Sequence, residues 1–344
     1  MKSKKILISI LFVLVVIVCY FFYQFYFLPK TIKSAVPTEI PFYNIYYVYS
    51  INSKSPVSVL WGTKELGASS LGPEIVKDMK KIKEMGFDGV KISYHFKENN
   101  YISDRIVLKI TEQGLQPIGI LMGHNTKPTD RAFTYEEMEE WETFVQETVR
   151  NNKDRVYYWE VWNEPDIDMF RYGTPEEYLN LLKTTYTIIK KENPQAKIIA
   201  TLDAVGLDQS VGDFTEKLLA LGGGDYFDIM SFYPYNGNPY IKEDLFYNRI
   251  QKQKELVGRY NNRWPLMISE IGQPASQVSE EEQSRLAKIV FEECSKDKIP
   301  LVWLYYSDAL LFKGAQLGDG SGWGLIRDDD TIRPIFDTIT NLIK

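Results

Sequence analysis

The sequence predicts a closed (β/α)8 barrel. Eight short β-branched or aromatic runs alternate with amphipathic helical stretches, the alternation fills about 290 of the 344 residues, and helix start and stop signals recur at its joints. Strands alternating with helices make parallel sheets and eight such units close a barrel, whereas a doubly wound sheet more often stops near about five or six strands. No internal repeat or low-complexity tract points to a second domain.

The N-terminal part is of a different kind. Ile6 to Leu28 are 23 residues without a charge, preceded by Lys2, Lys4 and Lys5. That length spans a bilayer, and it exceeds the roughly 7 to 15 residues of a cleaved secretory core. Lysines before the span predict an N-terminus in the cytoplasm and everything after it outside. The expectation is a signal anchor over residues 1–34, with the protein single-pass in the cell membrane. The alternative is a protein secreted after cleavage near Lys33-Ser34-Ala35. A lipid anchor on Cys19 is disfavoured, since Val16-Ile17-Val18 lacks the small residues expected before a lipidated cysteine. Residues 35–56, rich in Pro, Ser and Tyr, are expected to form a tether, with a short strand at Tyr43 to Tyr49. The barrel domain is then expected over residues 57–344.

Its strands are expected at Val57–Gly62, Gly89–His95, Gln116–Gly123, Val156–Asn163, Lys197–Asp203, Phe227–Tyr233, Pro265–Glu270 and Pro300–Tyr306. Between them Thr134 with Glu137, Thr174 with Glu177 and Ser279 with Glu282 fit capping boxes, in which each end of the motif satisfies an unpaired backbone N–H of the other. Pro175 suits a first helical position, and Gly86 and Gly114 fit helix exits.

Composition excludes several function classes. Lys2, Lys4, Lys5, Lys30 and Lys33 precede Ala35 with no acid among them, so of a formal net charge of −6 the remainder carries −11. A body that acidic repels phosphates, and no nucleic acid partner is expected. The two cysteines, Cys19 and Cys294, cannot staple the exported part, since Cys19 lies in the apolar span. With only His95 and His124, a histidine-rich metal cluster is excluded, and Asp328-Asp329-Asp330 reads as a solvated turn. Neither a metal nor a cofactor is implied.

In a barrel of this kind the active site lies at the C-terminal ends of the strands. The fourth strand ends in Trp159-Glu160-Val161-Trp162-Asn163-Glu164-Pro165, and the proline turns Glu164 away from helical φ/ψ and ends strand pairing, placing the carboxylate on the rim. Glu270 ends the seventh strand, on the opposite side of the same mouth. Glu160 shares strand parity with Glu164 and points into the barrel, where it needs a partner; Lys91 on the second strand offers one to Glu160 or Glu270.

Asn163-Glu164-Pro165 followed by a strand-seven glutamate resembles the pattern of the retaining (β/α)8 glycoside hydrolases of clan A. The Trp-Glu-Val-Trp-Asn-Glu-Pro-Asp wording leans toward family 39, the rest suits family 5, and the likeness covers Val57 to Lys344. The resemblance implies a retaining hydrolase with Glu270 as nucleophile and Glu164 as acid/base. It implies Asn163 on the sugar 2-hydroxyl, Tyr233 bonded to the nucleophile, and Trp303 as the floor of the sugar site. Lys91 stands where family 5 carries an arginine, so a bidentate grip on a carboxylate is lost. His124 after strand three is a sugar-contact candidate, with His95 a weaker one. Trp61, Tyr94, Tyr305, Tyr306 and Trp323 are candidates for further subsites. The implied partner is a polysaccharide or oligosaccharide, β-linked and cleaved internally. The competing reading is a non-catalytic carbohydrate-binding or polysaccharide assembly factor on the same scaffold.

Overall fold

The first barrel strand lies earlier than the sequence pattern put it. The computed structural model describes residue 33 and residues 35–46, 66–123, 131–167, 172–203, 213–236, 240–308, 322–327 and 329–344. In the compact unit running from Ser34 to Lys344, β1 is Tyr43–Tyr46, within the stretch expected to be a tether. It pairs in parallel with both β2 (Gly89–His95) and β8 (Leu301–Trp303). Two β-prone runs follow a proline here, and pattern alone cannot choose between them. Long-range pairing does. The Asn44 amide donates to Pro41 O at 2.7 Å and Leu301 O at 3.1 Å, while the Asp88 carboxylate accepts from the backbone N–H groups of Phe42 and Tyr43 at 3.2 and 3.0 Å. Gly89 is required at this crossing, because a Cβ there would lie 2.7 Å from the backbone oxygen of Gln116 as well as 2.3 Å from Asn44 Oδ1. The run Val57–Gly62 lies outside the described residues, as does the expected span Ile6–Leu28. Among the described residues no helix is long and apolar enough to cross a membrane.

The other seven strands fall where the alternation placed them. They are β2, β3 (Gln116–Met122), β4 (Tyr158–Val161), β5 (Lys197–Thr201), β6 (Ile229–Phe232), β7 (Leu266–Ile271) and β8, and with β1 they form one closed parallel barrel in chain order. The intervening helices are α1 (Leu66–Met85), α2 (Tyr101–Glu112), α3 (Tyr135–Asn152), α4 (Pro175–Glu192), α5 (Asp213–Ala220), α6 (Glu243–Arg259), α7 (Glu280–Asp297) and α8 (Pro334–Ile343). Thr134 and Thr174 each form a full capping box, and Ser279 accepts from the Glu282 N–H. Gly86 and Gly114 leave their helices at φ 106° and 69°.

Strand alternation sorts side chains into two cores. Inside the barrel lie Ile118, Ile120, Ile199, Ile229, Met267, Val302 and Leu304. Outside, beneath the helices, lie Ile45, Val90, Trp159, Ile198, Ile268 and Trp303. Cross-strand register carries inward parity from Ile118 to Lys91, from Ile120 to Glu160 and then Ile199, and from Thr201 to Ser231.

Candidate active site

The site begins at the end of β4. Trp162 and Glu164 adopt left-handed backbone, at φ 67° and 49°. Each such non-glycine residue costs about 1–3 kcal/mol, which its surroundings must offset. They do so with aromatic packing: the Trp162 ring lies 5.5 Å from Phe133, 5.8 Å from Trp141 and 4.8 Å from Tyr172. A Cβ on Gly123 would come within 2.2 Å of the same indole, so the residue that follows β3 must be glycine. The turn directs Asn163 and Glu164 toward the mouth, both more than nine-tenths buried. The Asn163 amide lies 3.4 Å from Glu164 Oε2.

Glu270 reaches the mouth through an irregularity. Against β8, Ile268 and Ile271 of β7 face Leu301 and Trp303, so three steps on one strand oppose two on the other. Simple alternation from inward Ser269 would send Glu270 outward; a bulge of this kind re-aims it. Ile268 and Ile271 both pack in the outer core, leaving Ser269 and Glu270 on the barrel side. The Tyr235 hydroxyl donates to Glu270 Oε1 at 3.2 Å.

Below the two carboxylates lies a polar layer. Lys91 Nζ sits 2.7 Å from Glu160 Oε2, both side chains fully buried. The other oxygen, Oε1, takes the Ser269 hydroxyl at 2.8 Å, the Tyr233 hydroxyl at 2.9 Å and the Thr201 hydroxyl. Lys91 also donates to Ser269 O at 2.9 Å and Tyr233 Oη at 3.2 Å. Buried charges persist only when paired and hydrogen-bonded, as these are.

The electrostatics separate the two glutamates. Burial, then the charge of Glu270, then Asp166 raise the Glu164 carboxyl well above its ordinary range, with Lys91 opposing. Burial pushes Glu270 up to about 7, while the Lys91 charge and the Tyr235 hydrogen bond hold it down and Glu160 adds to the rise. Lys91 is the leading charge acting on Glu270, and Glu270 the leading charge acting on Glu164. The proton therefore resides on Glu164, and the negative charge on Glu270.

Several expectations change. The hydroxyl on Glu270 belongs to Tyr235; Tyr233 instead reaches Glu160 and, at 3.2 Å, Asn163 Oδ1. Trp303 does not line the mouth, because its parity turns it outward against Phe291, with ring centroids 5.8 Å apart. Lys91 is sealed beneath the floor and cannot touch a substrate directly. Tyr94 and Tyr306 are core residues. Of the remaining aromatic candidates, Trp323 is buried and Tyr305 partly exposed, and they run on into two tyrosines not singled out as subsite residues: Tyr305 to Trp323 at 6.2 Å, Trp323 to Tyr240 at 5.0 Å and Tyr240 to Tyr235 at 5.5 Å. His95 ends β2, its backbone tied to the Asn100 side chain at 2.8 Å. His124 and Trp61 lie outside the described residues. Among the described residues no group of three or more His, Cys, Asp or Glu could hold a metal ion.

Two features had no clear signal in the sequence. Tyr235 stands two residues from Tyr233 across Pro234, and nothing in the spacing says which faces Glu270. Asp203, just past β5, binds Arg249 at 3.1 Å and Gln253 of α6, and Arg249 also donates to Tyr233 O at 3.3 Å.

No protein-family model matches this chain. A β-xylosidase of Caldicellulosiruptor saccharolyticus is 37% identical over 68 residues, which is 17% of this chain and 14% of the xylosidase. Among solved structures, a family 39 glycoside hydrolase from the gut symbiont Bacteroides cellulosilyticus superposes with TM-score 0.63 at 19% identity, covering 78% of this chain and 60% of its own length. A family 5 hydrolase from Streptomyces cattleya, solved with Manβ1-4GlcNAc, gives 0.62 at 16% identity, covering 88% of this chain and 80% of that one. The likeness is in fold, to clan A glycoside hydrolases. A monomeric β-xylosidase from Caulobacter crescentus gives 0.61 at 16% identity, with coverage of 90% and 69%.

Proposed function

We propose that the chain is a retaining glycoside hydrolase, with Glu270 as nucleophile and Glu164 as acid then base. The observation that carries this reading is the carboxylate pair on β4 and β7, one turned to the mouth by a strained turn and the other by a bulge. In the first step Glu164 gives its proton to the glycosidic oxygen as the Glu270 carboxylate attacks the anomeric carbon. The glycosyl-enzyme removes the negative charge of Glu270, which had been raising the Glu164 carboxyl. Glu164 then releases a proton readily and serves as base toward water. Lys91, below, favours the charged Glu270 without entering the chemistry.

The substrate in this reading is a β-linked polysaccharide cleaved internally, supported by the partly exposed rings of Tyr240 and Tyr305, which pack on the buried Trp323 and offer aromatic surface to a sugar ring. Glycosidases of several specificities share the barrel. The cell-membrane location proposed with it rests on the apolar Ile6–Leu28 behind three lysines. Protease accessibility of the barrel in intact cells tests that part.

The test of mechanism is a pair of variants, Glu164→Gln and Glu270→Gln, in a screen against β-glycans with the product anomer followed by NMR. Each variant is expected to lose at least about 10²-fold in turnover. Unchanged turnover in both would overturn the assignment of the two glutamates, a wild-type protein that cleaves none of the glycans would favour the binding or assembly factor, and an inverted anomer would overturn the two-step mechanism.

A further inference from the structure

We propose that Tyr233 is a positioning residue: it locks the Asn163 carboxamide with its NH2 group toward the substrate, using the buried Lys91–Glu160 pair as its anchor. The inference rests on the reading of Asn163 as the donor to the sugar 2-hydroxyl.

The argument is a count of protons and lone pairs around one hydroxyl. The Tyr233 hydroxyl has one proton to give and two lone pairs. Lys91 can only donate, at 3.2 Å, so one lone pair is taken. Two acceptors compete for the proton, Glu160 Oε1 at 2.9 Å and Asn163 Oδ1 at 3.2 Å. Glu160 Oε1 already accepts from Ser269 and Thr201, and Oε2 faces the Lys91 ammonium. The proton is shared between the two as a three-centre bond, its shorter branch to Glu160; the branch to Asn163 Oδ1 turns that oxygen toward Tyr233 and so leaves Nδ2 facing Glu164 Oε2, 3.4 Å away, and the mouth.

The reverse arrangement would give the proton to Glu160 and let Nδ2 donate to Tyr233. It would also aim Oδ1, an acceptor, at the substrate. Without the tyrosine hydroxyl, nothing in this set of contacts separates the two orientations of the amide. The ring itself cannot swing away. It is fully buried, its N–H donates to Asp203 O at 2.9 Å, and its carbonyl accepts from Arg249 at 3.3 Å.

Tyr233→Phe removes one oxygen and keeps the ring that fills the space. The full chain and this variant are assayed on the dinitrophenyl β-glycosides of β-1,4-linked xylose and glucose disaccharides and on counterparts that lack the 2-hydroxyl of the sugar next to the leaving group. Such leaving groups need little help from Glu164. The expected result is a fall of about 10 to 100-fold in kcat on the 2-hydroxy substrates with KM little changed, and a change within about 2-fold on the 2-deoxy ones. Asn163→Ala is expected to give the same selective loss, and the double variant to lose no more than either. Equal losses on both substrate types, no loss on either, or additive losses would each overturn the inference. Glu270→Gln run alongside separates the two failures: if it abolishes turnover while Tyr233→Phe acts indiscriminately, only the positioning role falls. A crystal structure of Tyr233→Phe supplies a readout independent of turnover. The Asn163 side chain is expected to rotate or split between two positions, and an unmoved carboxamide would overturn the proposal.

Discussion

Glu164 and Glu270 are the same residue type, made unequal by what touches them. Because Glu270 is held near 7 by burial against the pull of Lys91 and Tyr235, kcat/KM is predicted to fall on the acid side with an apparent pKa of about 7. The alkaline limb belongs to Glu164, raised further. Tyr235→Phe deletes a hydrogen bond that lowers the Glu270 carboxyl, so the acid limb is expected to move to higher pH; a pH–rate profile with an unmoved limb would rule this out. Both carboxyls bind protons more tightly when folded than when unfolded, so stability falls as pH rises from the unfolded value toward the folded one. Glu270→Gln is therefore expected to melt higher than wild type at pH 8, and the difference to vanish below about pH 4, by calorimetry. Part of this scale was legible in the sequence: the positions of Glu164 and Glu270 at strand ends and the need of Glu160 for a cation could be read there, whereas alternation alone would have turned Glu270 away from the mouth. Trp303 was misread because position within a strand does not give its facing until the register is known. The hydroxyl on Glu270 was assigned to Tyr233 when it belongs to Tyr235, because residues two apart share a face in a strand and alternation does not tell them apart.

At the scale of elements, the mouth is shaped by two departures from regular geometry, the left-handed turn after β4 and the bulge in β7. Neither was legible. Pro165 announced that the strand would end, but φ > 0 at Glu164 is enforced by the Trp162 aromatic cluster, which is assembled from α3 and the segment before α4. The bulge depends on how β7 meets β8, a relation absent from either strand alone. Helix boundaries were far more legible, because capping boxes and exit glycines act within a few residues. The brace from α6 to the ends of β5 and β6 deserves a test of its own. Arg249 and Asp203 are both buried, so Arg249→Met leaves a carboxylate without its cation and is expected to destabilise by about 3–5 kcal/mol in urea denaturation. It should also release the Tyr233 carbonyl, so residual activity is expected to fall more than the loss of folded protein accounts for.

The whole molecule is a ring, and its seam was the part of the fold least visible in sequence. Seven strands were legible from periodicity, while the first was assigned to a later run because closure is decided by residues more than 200 positions away. Asn44 joins β1 to β8 through Leu301, 257 positions along the chain. Asn44→Ala removes two buried hydrogen bonds, to Pro41 O and Leu301 O, and is predicted to cost about 1–3 kcal/mol, measured as a lowered urea midpoint. The seam also orders events in time. β1 is synthesised first among the strands but cannot bond its second neighbour until β8 exists, so the growing arc has two open edges, one of them on β1, while the chain is being made. In pulse-labelled hydrogen exchange, amides of β3 to β6 should gain protection before those of β1. Until the last strand arrives, the earliest one waits.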